Sequence, residues 1–347
     1  MGVVVRQADL NADRDQIIEL QKKYLTNQSG IQRFDWLYKK NPFGLPHVWV
    51  AQDSSTSTVI GAAAAFPRSL YIGLQKKIGW VLGDFCISEE YRSLGPAIQL
   101  QRACLEGVNI EGNTIWYDFP SEKMLAIYKR LKISSPGKMI RFVKPLKVDR
   151  KVRAWVNSPL LQRCINGIGN RILDVNNRRG KVSTGLTLDV HVGEYGYEFT
   201  ELSEKVGDSV GNCLERTAAF LEWRYKQNPL GDYVMITARL DGELKGYAVF
   251  TETESDAILI DIFGFRNEPI IVGLLHDIVG RVRLNGCETL EASLVEGHPW
   301  IPFLQSVGFK PRETAPVIIA GVQNESVCSA NSEPQASILL MQGDRDS

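Results

Sequence analysis

Apolar and polar positions alternate along this chain in two periods, near two and near 3.6. Residues 3–6 open as a short strand. Behind Asp9 or Asn11, the spacing of Ile17, Ile18, Leu20 and Leu25 predicts a capped helix. Residues 48–52 and 59–66 are rich in β-formers on either side of the polar run 53–58, which predicts a hairpin, and 78–87 predicts a central strand. After a turn over 88–95 the period lengthens. Residues 96–106 predict a helix, 114–119 a strand, and 122–131 a second helix with Met124, Leu125, Ile127, Tyr128 and Leu131 on its apolar side. Residues 152–175 predict a connecting amphipathic helix interrupted near Pro159 and Gly167. Arg153, Arg163 and Arg171 are too few for a membrane-surface face, so it reads as a docking helix. The order then returns: a hairpin of 233–240 and 246–253 around Asp241-Gly242, a strand over 257–264, a helix over 270–284, a strand over 289–294 and a segment ending at Phe309. The polar stretch 324–335 predicts an exposed loop, and 338–341 a closing strand.

The return is also literal. Trp36-Leu-Tyr38-Lys39-Lys-Asn41-Pro42-Phe-Gly44 recurs as Trp223-Arg-Tyr225-Lys226-Gln-Asn228-Pro229-Leu-Gly231. The interval from Trp36 to Trp223 is far longer than any solenoid period, so the pattern predicts two copied domains rather than an array of small units. A chain of 347 residues is long enough for two cores.

Charge narrows the possible partners. Forty Lys and Arg balance forty Asp and Glu, so no net field draws the chain to nucleic acid or an anionic membrane. No apolar run is long enough to span a bilayer and the start lacks a signal-peptide pattern, so a cytoplasmic protein is expected. Arg6 stands where a myristoylation start needs Ser or Thr. The six cysteines are scattered, as expected of reduced thiols, and four distant histidines predict no metal site.

Candidate chemistry concentrates where the strand ending at Ile87 runs through Ser88-Glu89-Glu90-Tyr91-Arg92-Ser93-Leu94-Gly95-Pro96-Ala97 into a helix. Such a junction aims free backbone N–H groups and the positive helix end at an anion. Spacing alone leaves a pyrophosphate cradle and a plain connection equally open. Asp84, on the same strand, is a candidate general base, as are Glu89 and Glu90 at its end. Asp261 holds the equivalent place in the second half, which keeps a structural role for Asp84 equally open.

The stretch from Arg92 to Ala97, preceded by Glu90 and Tyr91, resembles the acyl-coenzyme A signature Arg/Gln-x-x-Gly-x-Gly/Ala of GNAT-type N-acetyltransferases. Residues 121–133 are similar to the helix of that family ending in Tyr-x-x-Leu-Gly-Phe, with Lys132 and Ile133 in place of Gly and Phe, and the resemblance covers 3–141. It implies acetyl-CoA as acyl donor, no metal, and a donor site at Arg92, Ser93, Leu94, Gly95, Pro96 and Ala97. It further implies attack by a primary amine of a small molecule, with the oxyanion held by a backbone N–H among Phe85, Cys86 and Ile87. Tyr128 would protonate the leaving thiolate, since a phenol of pKa about 10 can give its proton to a thiolate whose acid has a pKa of about 8.5. Read from its residues alone, Tyr128 is an ordinary aromatic of an amphipathic helix.

The expected architecture is therefore mixed α+β: a catalytic GNAT-like domain over 1–146, a helical connection over 147–182 and a degenerate GNAT-like domain over 183–347, each with a mixed, largely antiparallel sheet flanked by helices. In the second half Glu268 stands where phosphate would sit and Leu304 falls opposite Tyr128, so cofactor chemistry is expected to be lost there. Trp36 and Tyr38 are candidate substrate-groove residues, although anchoring a helix to the sheet explains their repetition more simply. The resemblance implies an amino sugar, free or nucleotide-linked, as acceptor. Two rivals are a non-catalytic tandem scaffold and an aminoacyl transferase of the peptidoglycan-bridge type, the latter disfavoured by the missing basic patch.

Overall fold

The long hairpin at the centre of the first half follows from its turn. β3 (Val59–Ile72) and β4 (Gln75–Ile87) meet at Gly73-Leu74, where Gly73 takes φ 60°, and pair antiparallel from Ile72–Gln75 to Gly61–Ile87. The computed structural model describes residues 2–92, 94–109, 114–133, 137–148, 185–321 and 338–345. β1 (Val3–Gln7) and β2 (His47–Asp53) extend this hairpin outward. α3 (Leu94–Val108) then carries the chain over to β5 (Trp116–Asp118), which lies parallel to β4. α4 (Glu122–Arg130) starts at a side-chain cap, Ser121 accepting from Met124 N, and leads to β6 (Gly137–Pro145).

The second half repeats this order. β9 (Val234–Leu240), β10 (Glu243–Glu252) and β11 (Asp256–Gly264) form an antiparallel meander, with β7 (Leu186–Val190) outside it. α7 (Glu268–Leu284) crosses to β12 (Thr289–Val295), parallel to β11, and α8 (Ile301–Ser306) leads to β13 (Lys310–Ala320). The final strands are exchanged: β13 lies between β5 and β6, and β6 lies between β13 and β12. One sheet therefore runs β1-β2-β3-β4-β5-β13-β6-β12-β11-β10-β9-β7, with short β8 (Cys213–Leu214) beside β3. A division in sequence at residue 146 puts β6 in the first half, yet its sheet neighbours both come from the second.

Three apolar layers cover the sheet. One face of the first half packs under α3 and α4 through Trp49, Leu82, Leu100, Trp116, Ile127 and Tyr128. The corresponding face of the second packs under α7 and α8. The opposite face is shared by both halves and holds α1 (Arg14–Tyr24), α5 (Tyr197–Val210) and the repeated Trp/Tyr segments. In each copy a short α-helix, α2 (Ile31–Phe34) or α6 (Ala218–Leu221), continues as a π-helical turn, over Asp35–Lys39 and Glu222–Lys226.

Most expected elements are present with extended ends, because the strands run on into the turns. β6, β7, β13 and α5 lack a legible pattern; β13, for instance, begins with the exposed run Lys310-Pro311-Arg312-Glu313. Residues 338–341, expected as a strand, form isolated bridges from Leu339 to Cys213 and from Met341 to Leu294 instead. The proposed connecting helix over 152–175, Ser93 and the polar stretch 324–335 lie outside the described residues. Among the described residues no helix is long and apolar enough to cross a membrane, and no cluster of His, Cys, Asp and Glu is suited to a metal ion.

Candidate active site

β4 and β5 pair only at Trp80–Trp116 and Val81–Tyr117; beyond those pairs they share no register and the sheet opens. The opening begins where β4 is distorted. Ala62 faces Cys86 while Ala64 faces Gly83, so β4 carries one extra residue, and Asp84 sits there at φ 52°. Phe85, Cys86 and Ile87 form the end of β4 past this bulge. Cys86 is buried and its thiol is pushed up to about 12 by desolvation, which makes it inert as a nucleophile.

From Ile87 the chain passes one 3-10 turn (Glu89–Tyr91) and enters α3 at Leu94. Leu94, Gly95, Pro96 and Ala97 are thus first-turn residues; the backbone N–H groups of Leu94, Gly95 and Ala97 lack helical partners, and Pro96 has no N–H to offer. Gly95 is exposed, and a Cβ placed on it would meet nothing within 4 Å, so the space over this helix start is open. Arg92 donates from Nε to Ile87 O at 3.3 Å and lies over the Tyr24 ring at 5.2 Å, which keeps its charge at the turn.

β5 divides its side chains by simple alternation. Trp116 and Asp118 meet Tyr128 of α4: the Trp116 and Tyr128 rings stack at 6.1 Å, and the Tyr128 hydroxyl donates to Asp118 Oδ2 at 2.5 Å. Gln101 of α3 donates to the same hydroxyl at 3.1 Å. Burial raises the Tyr128 phenol well above its usual range, and the neighbouring Asp118 carboxylate raises it further. Asp118 is itself pushed up to about 6 by burial, against the opposing effects of the Tyr128 bond, the Phe119 N–H and the Arg345 charge. Tyr117 and Phe119 meet the end of the chain: Tyr117 Oη donates to Asp344 O at 3.2 Å, and the Arg345 guanidinium lies 5.3 Å from the Phe119 ring centre. Asp118 was not legible as a site residue, since nothing in its sequence neighbourhood marks it.

Asp84 occupies a different environment. Arg33 grips it with two bonds, Nη1 to Oδ2 at 2.8 Å and Nη2 to Oδ1 at 2.6 Å, and both residues are about 2% exposed. Tyr38 Oη and Gln21 Nε2 also donate to Oδ2, at 2.8 and 3.1 Å. Every bond to this carboxylate comes from a buried partner in the core. The second half repeats the arrangement, with Arg216 Nε donating to Asp261 Oδ2 at 2.8 Å and Tyr225 Oη to the same atom at 2.9 Å.

Trp36 and Tyr38, weighed above as groove residues, are both buried. Trp36 Nε1 donates to Trp223 O at 2.7 Å, Trp223 Nε1 donates to Trp36 O at 2.9 Å, and the rings stack at 5.1 Å. The repeated tryptophans thus meet each other, closing the contact between the halves with both indole donors satisfied. Their polar atoms bond within the core.

In the second half the corresponding opening is filled by the chain itself. β11 and β12 pair as far as Leu259–Ala292, after which residues 340–344 run between them. Val295 N donates to Leu340 O at 3.0 Å, Met341 bridges to Leu294, and a Cβ on Gly343 would lie 2.8 Å from Tyr225 Oη and 3.1 Å from Ile260 O. Asp344 takes Arg216 Nη2 on Oδ1 at 2.5 Å and Met341 N on Oδ2 at 2.8 Å. The remaining cavity, walled by Arg216, Asp261, His298 and Trp300 among others, measures about 20 Å³, room for one water. Glu268 opens α7, and Leu304 of α8 is buried.

The fold, with its sheet opened between β4 and a parallel β5, is shared with solved acyltransferase structures. A GCN5-related N-acetyltransferase from Anabaena variabilis matches with a TM-score of 0.66 at 14% identity, over 93% of this chain and 73% of that one. A protein of unknown function from Enterococcus faecalis, described as a probable N-acyltransferase, matches with a TM-score of 0.65 at 9% identity, over 93% and 74%. Saccharomyces cerevisiae N-myristoyltransferase with bound myristoyl-CoA matches with a TM-score of 0.57 at 10% identity, over 92% and 82%. No protein-family model and no curated protein sequence matches the chain.

Proposed function

We propose that the protein is an acyl-CoA-dependent N-acyltransferase, with acetyl-CoA as donor and a small-molecule amine as acceptor, and that its first half alone does the chemistry. The two halves read as a tandem pair of GNAT-like units, one of them degenerate. One observation carries this reading: the β4–β5 opening adjoins an open helix start and the Tyr128–Asp118 pair, whereas residues 340–344 occupy its counterpart between β11 and β12. A non-catalytic scaffold gives no reason for this asymmetry.

In this reading the donor pyrophosphate lies on the turn from Arg92 to Ala97, where free N–H groups and the Arg92 charge receive it. The amine nitrogen attacks the thioester carbonyl, a backbone N–H near Phe85 to Ile87 holds the oxyanion, and the C–S bond breaks. Asp118 takes the proton lost by nitrogen. Tyr128, hydrogen-bonded to Asp118, gives its proton to the thiolate and recovers one from Asp118, so amide and free thiol form without net proton change. We assign Asp84, with Arg33, to holding the β4 bulge, and Trp36 and Tyr38 to folding. The test is calorimetric titration of acetyl-CoA into the wild type and Gly95→Glu, a change the open space over Gly95 accommodates. Binding near one per chain that the substitution abolishes supports the site; equal binding to both removes it.

A further inference from the structure

A groove of about 730 Å³ lies beside the donor turn, between α1 and the 53–58 turn that joins β2 to β3. It shares residues with the donor turn: Ser88, Glu90 and Tyr91 line it together with Lys22, Lys23 and Tyr24 of α1. Hydrogen bonds hold these walls. Tyr24 Oη meets Ser88 Oγ at 3.2 Å, and Tyr91 Oη donates to Asp53 Oδ2. Asp53 also accepts from the backbone N–H groups of Ser55 and Thr56, so Tyr91 is tied to a turn that is itself fixed. Leu20 and the first residues of β3, Val59 and Ile60, form the apolar base of the groove.

The place of the groove relative to β4 says what reaches it. β5 and the opening lie on one side of β4 and β3 lies on the other, where Ser88 N donates to Ile60 O at 2.7 Å and ties the end of β4 to the start of β3. An acyl-CoA with its thioester in the opening and its pyrophosphate on the turn therefore carries its adenosine away from β5, toward β3 and the groove. The volume lies within the range of small-molecule sites, about 300–1,000 Å³. Two cations meet one ring at this boundary: the Arg92 guanidinium lies 5.2 Å and Lys23 Nζ 5.0 Å from the Tyr24 centroid. The pyrophosphate and the 3′-phosphate of CoA are likewise separated by a single ribose. Glu19 also lines the groove but is bonded to Lys22 at 3.1 Å, and Glu90 is exposed, where solvent screens its charge.

We propose that this groove receives the adenosine 3′-phosphate end of the acyl donor, with the nucleoside over Val59 and Ile60 and the 3′-phosphate on Lys23. The inference rests on the acyl-transfer reading above and places the part of the donor that the turn and the opening leave unassigned.

Acetyl-CoA and acetyl-3′-dephospho-CoA are compared by calorimetry at low ionic strength in the full-length wild type, Lys23→Gln, Lys23→Arg and Thr58→Trp. Lys23 and Thr58 both line the groove and are exposed, so circular dichroism should be unchanged. The wild type should bind acetyl-CoA about threefold more tightly than its dephospho analogue, the scale of an exposed ion pair. Lys23→Gln should lose that preference and Lys23→Arg should keep it. Thr58→Trp, which fills the groove, should weaken both donors by about tenfold. Equal affinity for the two donors in the wild type, a preference that survives Lys23→Gln, or wild-type binding by Thr58→Trp overturns the subsite, while donor binding that Gly95→Glu abolishes leaves acyl transfer standing. A folded wild type that binds neither donor overturns the acyl-transfer reading and this subsite with it.

Discussion

Replacing Asp84 by Asn separates its two possible roles. Asp84 and Arg33 are a buried, doubly bonded pair, and removing one charge of such a pair costs about 3–5 kcal/mol because the other is left uncompensated. The amide also brings a donor group to a site already supplied with donors by Arg33, Tyr38 and Gln21, so one of these loses its acceptor. The second half provides an internal comparison. Asp261→Asn leaves Arg216 paired with Asp344, and its cost falls to the range of a lost buried hydrogen bond, about 1–3 kcal/mol. Equilibrium urea unfolding followed by circular dichroism measures both, with acetyl-transfer rates taken well below the unfolding midpoint. Asp84→Asn should be the more destabilised variant and, where folded, retain turnover within about tenfold. Stability within 0.5 kcal/mol of wild type together with a loss of turnover beyond about a hundredfold would refute the structural role and restore Asp84 as the base.

Trp36→Phe and Trp223→Phe each keep an aromatic ring but remove one indole donor from a buried carbonyl, so each should cost about 1–3 kcal/mol in the same unfolding assay. Their effects should not add, because the two rings stack and each indole bonds the other residue's carbonyl, and the double variant should depart from the sum of the singles by about 0.5 kcal/mol or more. Asp118 has a raised pKa, so its protonated form is favoured in the folded state; its contribution to stability is lost as pH rises from about 4 to about 6, and Asp118→Asn should flatten that part of the profile. Turnover has the opposite sign, rising with pH as Asp118 ionises near 6, and Tyr128→Phe should move that limb to higher pH by removing the bond that stabilises the carboxylate; a limb that stays put excludes Asp118 as the titrating group. Gly343→Val should be destabilising by about 1–3 kcal/mol in thermal unfolding, since its Cβ would press on Tyr225 Oη and Ile260 O; a wild-type melting curve would show that the tail is not lodged between β11 and β12.

The local sequence alone determined the alternation of strands and helices, the turn-to-helix junction from Arg92 to Ala97 and the repeated Trp/Tyr segment, because each depends on spacing within a few turns of chain. It also placed Tyr128 on an amphipathic helix, and Asp84 and Asp261 on corresponding strands. Tertiary structure decided what those residues touch. That Trp36 and Trp223 face each other, and that Arg33 closes on Asp84, is visible only in the folded chain. The exchange of β6 and β13 depends on pairing strands from opposite halves, which no local pattern encodes. The surroundings of Asp118 were invisible for the same reason: a short strand's last carboxylate acquires its burial and its Tyr128 neighbour only through folding.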